Sequence, residues 1–433
     1  MSEPTSVYSF YYLLTKVAKE AGIAYHGSSG NEKAMPPIEI YDLELCKDIV
    51  NDGIKSFIAD APRNGWRWRR RMMSVNITGT RITGTADSAS STTIVDLTLA
   101  STYDTDDELN GYYCYITGGT GEGSWAVITD YTALTGTITV ADWLDEFGNA
   151  GGTDPDTDST FAITPVETVG GDIARYPLSE NFNGEPSGQI HYAKDSTHST
   201  PIDWVGESLI RQLRSINVQT GHPNKAAIRP LEPRSAAIDP KRRYELIVNP
   251  QPSASDILEF PYELTFNKLD LETGLADSGS NTTLVDAART EGDDYFNGWK
   301  IEIISGTGKG SYAIVTDYTG GTGTFDVADW LTAAGAGGGT NPGANSVYAV
   351  EPLNNLHPAG HKYDIAILSA CLAQAEIEID DIASGYVDKY MKKDLPKAYE
   401  MDLRSAPKKL GTMNRGGVIR ERTWNNVTTD HDI

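Results

Sequence analysis

Two stretches of this chain are versions of one another, and any fold for it must accommodate the same module twice. The first contains GTADSASSTTIVD, then LNGYYCYITGGTGEGSWAVITDYTALTGTITVADWL, and closes with FAITP. The second contains GLADSGSNTTLVD, then FNGWKIEIISGTGKGSYAIVTDYTGGTGTFDVADWL, and closes with YAVEP. From Asn110 and Asn297 onward the offset is a constant 187, held through Trp143 and Trp330 to Pro165 and Pro352. A match sustained over about 80 residues marks a duplication, so both copies are expected to share one fold.

Each copy reads as all-β. Tyr113–Ile116 and Trp299–Ile303 alternate apolar and polar residues, as half-buried strands do. A glycine-rich turn leads to a second strand rich in β-branched residues, Trp125–Ile128 or Tyr312–Val315. Asp-Tyr-Thr and Thr-Gly-Thr mark another turn before a third strand, Ile138–Val140 or Phe325–Val327. The expectation is two small barrels or sandwiches, over 84–165 and 274–352, with Trp143, Trp330 and Asp-rich loops on their surfaces.

The duplication also decides how to read SGTGKGS, residues 305–311, which has the look of a phosphate-binding loop. A P-loop needs G-x-x-x-x-G-K-[ST] between a strand and a helix. Here Ile303 stands five before Gly308, Gly310 follows Lys309, and a strand follows the turn. The twin turn carries Glu122 in place of Lys309, and a carboxylate there would repel phosphate. The loop is predicted to be a hairpin connection.

Charge is distributed along the same lines. The net charge of −24 is concentrated in the repeats: 84–165 holds 14 acids and no Lys or Arg, and 274–352 holds 10 acids and 3 bases. The other 272 residues carry only −3. Three scattered cysteines, Cys46, Cys114 and Cys371, make neither a disulfide framework nor a metal cluster, and a reducing compartment is expected. No signal-peptide pattern opens the chain, and no apolar run approaches the roughly 20 residues a membrane span requires.

Outside the repeats, a helical pattern covers 7–19 and a second runs from about Tyr41 to Ala59, with Leu43, Cys46, Ile49, Val50, Ile54, Phe57 and Ile58 on one side. Residues 166–273 suggest a helix near Gly206–Ile216 and a pair of strands, RRYELIVNPQP and ILEFPYELTFNKL. A helix from about Lys362, with Ala366, Ser369, Ala370, Ala373 and Ala375, is poor in bulk and suited to close helix packing. Another, from about Tyr386 to Ser405, ends before Pro407. The fold class is therefore α+β. A discontinuous core of 1–83, 166–273 and 353–408 carries the β modules as insertions and a tail, 409–433.

Catalytic patterns are not evident. His357 and His361 have helical ligand spacing, but Pro358 and Gly360 favour a turn that caps the next helix. Glu376, Glu378, Asp380 and Asp381 do not share one helix face and read as a solvated or inter-subunit surface. Asp104–Glu108 is oxygen-rich but lacks EF-hand spacing, so it reads as a solvated turn, with calcium binding the alternative. Trp66, Arg67, Trp68 and Arg69 are predicted to form a corner whose aromatics anchor a core and whose arginines meet acids of a neighbour; nucleic-acid contact is the alternative. Residues 389–433 carry ten bases against six acids. Lys408, Lys409, Arg415, Arg420 and Arg422, with Trp424, suggest a segment that folds on a partner.

Taken with CKDIVNDGIKSFIADAPRNGWRWRRR, RRYELIVNPQPSASDILEFPYEL and GHKYDIAILSACLAQAEIEIDDIASGYVDKYMKKDLPKAYEMD, the non-repeat residues resemble the head-to-tail adaptor (connector) proteins of tailed bacteriophages, closest to those of short-tailed phages. The resemblance implies a homo-oligomeric ring, commonly a dodecamer, docked below the portal protein. The C-terminal tail would thread into portal grooves, a nozzle or tail protein would sit downstream, and genomic DNA would pass through the channel without specific binding. It implies a virion protein made in the host cytoplasm, with no catalytic residues, cofactor or membrane association. Another tail ring component, nozzle or tube, is the nearest alternative. A carbohydrate- or receptor-binding protein acting through the β modules is a more distant one.

Overall fold

The computed structural model describes residues 7–63, 65–194, 196, 198, 200–231, 242–379 and 385–404. It is a mixed α+β protein of two compact units, one drawn from Met1–Trp68 and Asn267–Ile433, the other from Arg69–Phe266. The helices are α1 (Phe10–Glu20), α2 (Ile40–Ala59), α3 (Glu207–Ile216), α4 (Asp364–Glu378), α5 (Tyr386–Lys389) and α6 (Leu395–Arg404). Only α3 lies in the second unit. Among the described residues no helix is long and apolar enough to cross a membrane.

In the first unit, α1 starts at Phe10 because Ser9 caps it, its hydroxyl accepting the Tyr12 N–H at 3.2 Å. α2 buries Leu43, Cys46, Ile49, Val50, Ile54 and Phe57, and Ile58 is only partly covered. The small residues of α4 do what their size suggests. Ala366, Ser369, Ala370, Ala373 and Ala375 are buried, and a Cβ on Gly53 of α2 would fall 2.5 Å from Cys371 Cα. The two helices thus meet at backbone distance. α5 and α6 are joined by a π-helical stretch, Tyr390–Asp394. Pro396 follows it: proline has no N–H to donate and its ring crowds the carbonyl four residues back, so a wider turn just before it relieves the clash.

This unit also contains the second repeat. Its seven antiparallel strands lie in the order Glu272–Leu275, Val347–Glu351, Lys300–Ser305, Tyr312–Thr319, Thr324–Val327, Thr283–Val285, Ser278–Gly279. Strand Val347–Glu351 is apolar on both faces for a reason. Tyr348 and Val350 point into the module core, whereas Val347 and Ala349 join the helical core. Lys47 of α2 reaches Asp270 at 2.7 Å and Glu272 at 2.6 Å, and Asn51 pairs with both the N–H and the carbonyl of Leu269.

In the second unit the first repeat has the same strand order: Ile82–Thr85, Thr160–Thr164, Tyr113–Gly118, Trp125–Thr132, Thr137–Val140, Thr93–Val95, Ser88–Ala89. Even the bulges coincide, at Ile116/Gly118 and Ile303/Ser305, and at Ile128/Asp130 and Val315/Asp317. Beside it lie two four-stranded sheets that share a core of Val75, Tyr176, Phe182, Leu246, Leu258 and Phe260. The strands expected to form a pair, Arg243–Asn249 and Asp256–Leu264, do not pair with each other. The first binds Lys225–Leu231 and Arg175–Pro177, and the second binds Arg70–Ile77 and Phe182–Pro186. Gln251–Pro252, between them, pairs instead with Thr220–Gly221.

Candidate functional site

The Trp66–Arg69 corner is built as an anchor. Trp66 is fully buried, stacked on Phe57 at 4.7 Å between ring centroids, and donates its indole N–H to the carbonyls of Phe57 and Ile58, both at 3.2 Å. It thereby satisfies carbonyls that the end of α2 leaves without intrahelical partners. The Arg67 N–H donates to Asp402 of α6 at 3.2 Å, and Tyr363 donates to the same carboxylate at 3.2 Å. Arg69 begins the second unit and is buried, with its guanidinium donating twice to the Leu264 carbonyl (3.1 and 2.9 Å) 3.5 Å from Glu263. Burial lowers its pKa, and Glu263 partly restores it. The acid that this arginine meets belongs to its own chain.

The other predicted positions divide. Lys408, Lys409, Arg415, Arg420, Arg422 and Trp424 lie outside the described residues. Trp143 and Trp330 are corrected: both are fully buried, plugging the module cores, and Trp330 donates its indole N–H to the Ser280 carbonyl at 3.0 Å. Flanking Asp residues suggested a surface loop, but an indole placed just past the strand end turns back into the core. Neither tryptophan can offer a face to a ligand.

The acidic turns are structural in both copies. Asp107 and Asp294 adopt left-handed φ of 66° and 64°, and each accepts from the side chain of the Asn three residues on. Asp106 and Asp293 accept backbone N–H groups of Ala133 and Gly320 at 2.8 Å. Among the described residues no three His, Cys, Asp or Glu side chains are grouped to hold a metal ion. Glu376 accepts the N–H groups of Gly385, Tyr386 and Val387, capping α5, which holds its carboxyl below the ordinary range. Asp380 and Asp381 lie outside the described residues. His357 is buried and bonds through Nε2 to Asp364, the first residue of α4, at 2.7 Å, while His361 sits in the turn between them. Cys46 and Cys114 are buried, which pushes their thiols up to about 12, and burial raises the Cys371 thiol as well.

SGTGKGS is a hairpin between Lys300–Ser305 and Tyr312–Thr319, with Gly306, Gly308 and Gly310 at φ of 80°, 82° and 84°. Lys309 forms an ion pair with Glu32, whose carboxylate also accepts from Ser305 at 2.8 Å. Lys309, then Ser305, lowers the Glu32 pKa. The lysine that suggested a phosphate site fastens the module to the loop before α2.

A concavity with mixed chemistry in the second unit was not anticipated. It is a cleft of about 320 Å³ in the second unit, between the first repeat and the segment that follows it. Tyr115 and Trp125, opposite each other across two strands, lie 6.2 Å apart and within 25° of parallel, and Tyr113 continues the row at 6.5 Å from Tyr115. The segment Glu167–Gly170 crosses this row, and the Thr168 N–H donates to the Tyr115 hydroxyl at 2.9 Å. Glu146 and Phe147 line the cleft from the turn after Trp143, and Arg175 and Arg243 from the adjacent sheet. Arg175 is held in a fork on buried Glu245, with both bonds at 3.0 Å. A signal existed in the sequence: at offset 187 these aromatics become Lys300, Glu302 and Tyr312.

Comparison with family models, curated proteins and solved structures yields no match to this chain.

Proposed function

We propose that this chain is a non-enzymatic structural protein of a tailed-bacteriophage virion, assembling into a ring that joins the portal vertex to the tail. The resemblance of the non-repeat residues suggests the role. The observation that carries it is the apolar surface left on the helices of the first unit. Ile40 and Tyr41 on α2, Ile365 and Ile377 on α4, and Leu403 on α6 are each more than half exposed. Single exposed apolar residues are ordinary. Five on three helices of one unit favour burial against another subunit, because removing such area from water is the main favourable term in association. A closed ring brings the same faces together at every interface.

The test is electron microscopy of the purified full-length protein, alone and mixed with portal protein from the same virus. Rings that cap the portal are the expected result. A protein that stays monomeric at micromolar concentration and leaves the portal bare overturns the reading.

A further inference from the structure

The two repeats share strand order, register and bulges, so a difference confined to one face is informative. In the second copy that face is filled. Val347 and Ala349 join the helical core, and Tyr11 of α1 packs there, its phenol raised by burial and then by Glu302 and Glu351. In the first copy the corresponding face holds the row Tyr113, Tyr115 and Trp125, and the segment after the repeat covers only its middle. Ala162, the counterpart of Ala349, lies under Gly171, while Trp125 remains partly exposed at the cleft.

We propose that the Trp125 cleft is a binding site for a neutral saccharide. Three properties select that class. The floor carries the partly exposed indole of Trp125 beside the buried ring of Tyr115, an apolar surface for the C–H side of a pyranose ring. The walls carry groups of both signs, Glu146 and Glu167 with Arg175 and Arg243, and Arg175 is held in place by Glu245. Planar carboxylate and guanidinium groups accept from and donate to adjacent hydroxyls in pairs. The volume of about 320 Å³ lies at the small end of ligand sites and suits one or two sugar rings. The site differs from the buried Trp143 and Trp330, and it does not depend on ring assembly.

The second repeat supplies a variant already compatible with the fold: Trp125→Tyr, Glu146→Ala and Phe147→Ala together install the residues found at Tyr312, Ala333 and Ala334. Saturation-transfer NMR on the full-length protein tests it, with glucose, galactose, mannose, N-acetylglucosamine, lactose, maltose and chitobiose as probes and adenosine as control. The expected result is transfer to the ring protons of at least one saccharide, lost at least tenfold in affinity in the triple variant and in Glu146→Ala alone, with the melting temperature unchanged. Transfer to none of the seven sugars, equal binding by the triple variant, or stronger transfer to adenosine overturns the proposal.

Discussion

Asp96 and Asp286 occupy the same place in the two copies, each on a strand end beneath a glycine, Gly84 or Gly274, that leaves room for the carboxylate. Their surroundings have diverged together. Asp286 accepts from Tyr348 at 2.7 Å, and Arg289, which also binds Glu272 at 3.1 Å and Glu291 at 2.9 Å, donates to that tyrosine at 2.9 Å. In the first copy Tyr348 is replaced by Phe161, Arg289 by Leu99 and Glu272 by Ile82, yet the aspartate stays, and its buried Oδ2 has no hydrogen-bond partner. An unpaired buried acceptor carries its full desolvation penalty. Phe161→Tyr is therefore expected to stabilise the protein by about 1 kcal/mol and raise the melting transition in calorimetry. Tyr348→Phe is expected to cost about 2 kcal/mol, since it removes the hydrogen bond to Asp286 Oδ2 and the acceptor of the Arg289 Nε–H.

A second residue sets a pH dependence. Burial holds the His357 pKa below its ordinary 6.5, and the bond to Asp364 only partly opposes this. The folded state thus keeps the ring neutral while the unfolded chain takes up a proton. This contribution is complete above pH 6.5 and is lost as pH falls through 6.5 toward the lower folded-state value. His357→Gln, whose amide can still donate to Asp364, should flatten the fall in melting temperature between about pH 7 and about pH 5. An unchanged slope would assign that fall to other groups.

At the scale of elements, α2 and α4 meet at backbone distance at Gly53. A methyl group there meets backbone, which cannot rotate away, so the helices must separate. Gly53→Ala should destabilise the first unit by about 1–3 kcal/mol by overpacking. Gly292→Ala, where a Cβ meets nothing within 4 Å, is the control and should be nearly silent in the same denaturation experiment. The alanine-rich run of α4 made this contact readable in advance, as 3.6-residue periodicity did for α1 and α2 and period-two alternation for the modules. What escaped was long-range partnership. Arg243–Asn249 and Asp256–Leu264 both read as strands, but nothing local states that they enter different sheets. Trp143 and Trp330 sit among aspartates that mark a loop, and only the tertiary fold turns their rings inward. The aromatic row was spelled out as Tyr113, Tyr115 and Trp125, yet its exposure depends on what covers each module.

For the whole molecule, two separable surfaces follow from the proposed role. Lateral contact would use the apolar residues of α2, α4 and α6, whereas attachment to the portal would use the basic tail. Residues 408–422 hold five bases and one acid, in a chain whose net charge is −24. A charge at an apolar position covered by an interface must be desolvated there without a partner, a cost of several kcal/mol, while on a solvated monomer it costs little. Ile365→Asp should therefore abolish rings in mass photometry and leave the melting temperature of the subunit unchanged. Deleting 409–433 should do the reverse, keeping rings but losing portal binding, and the full-length complex should weaken as added salt screens the tail. Loss of rings on deleting the tail would place lateral contact there. Portal binding that survives the deletion would remove the tail from the attachment and leave the exposed helical faces as the surface to examine.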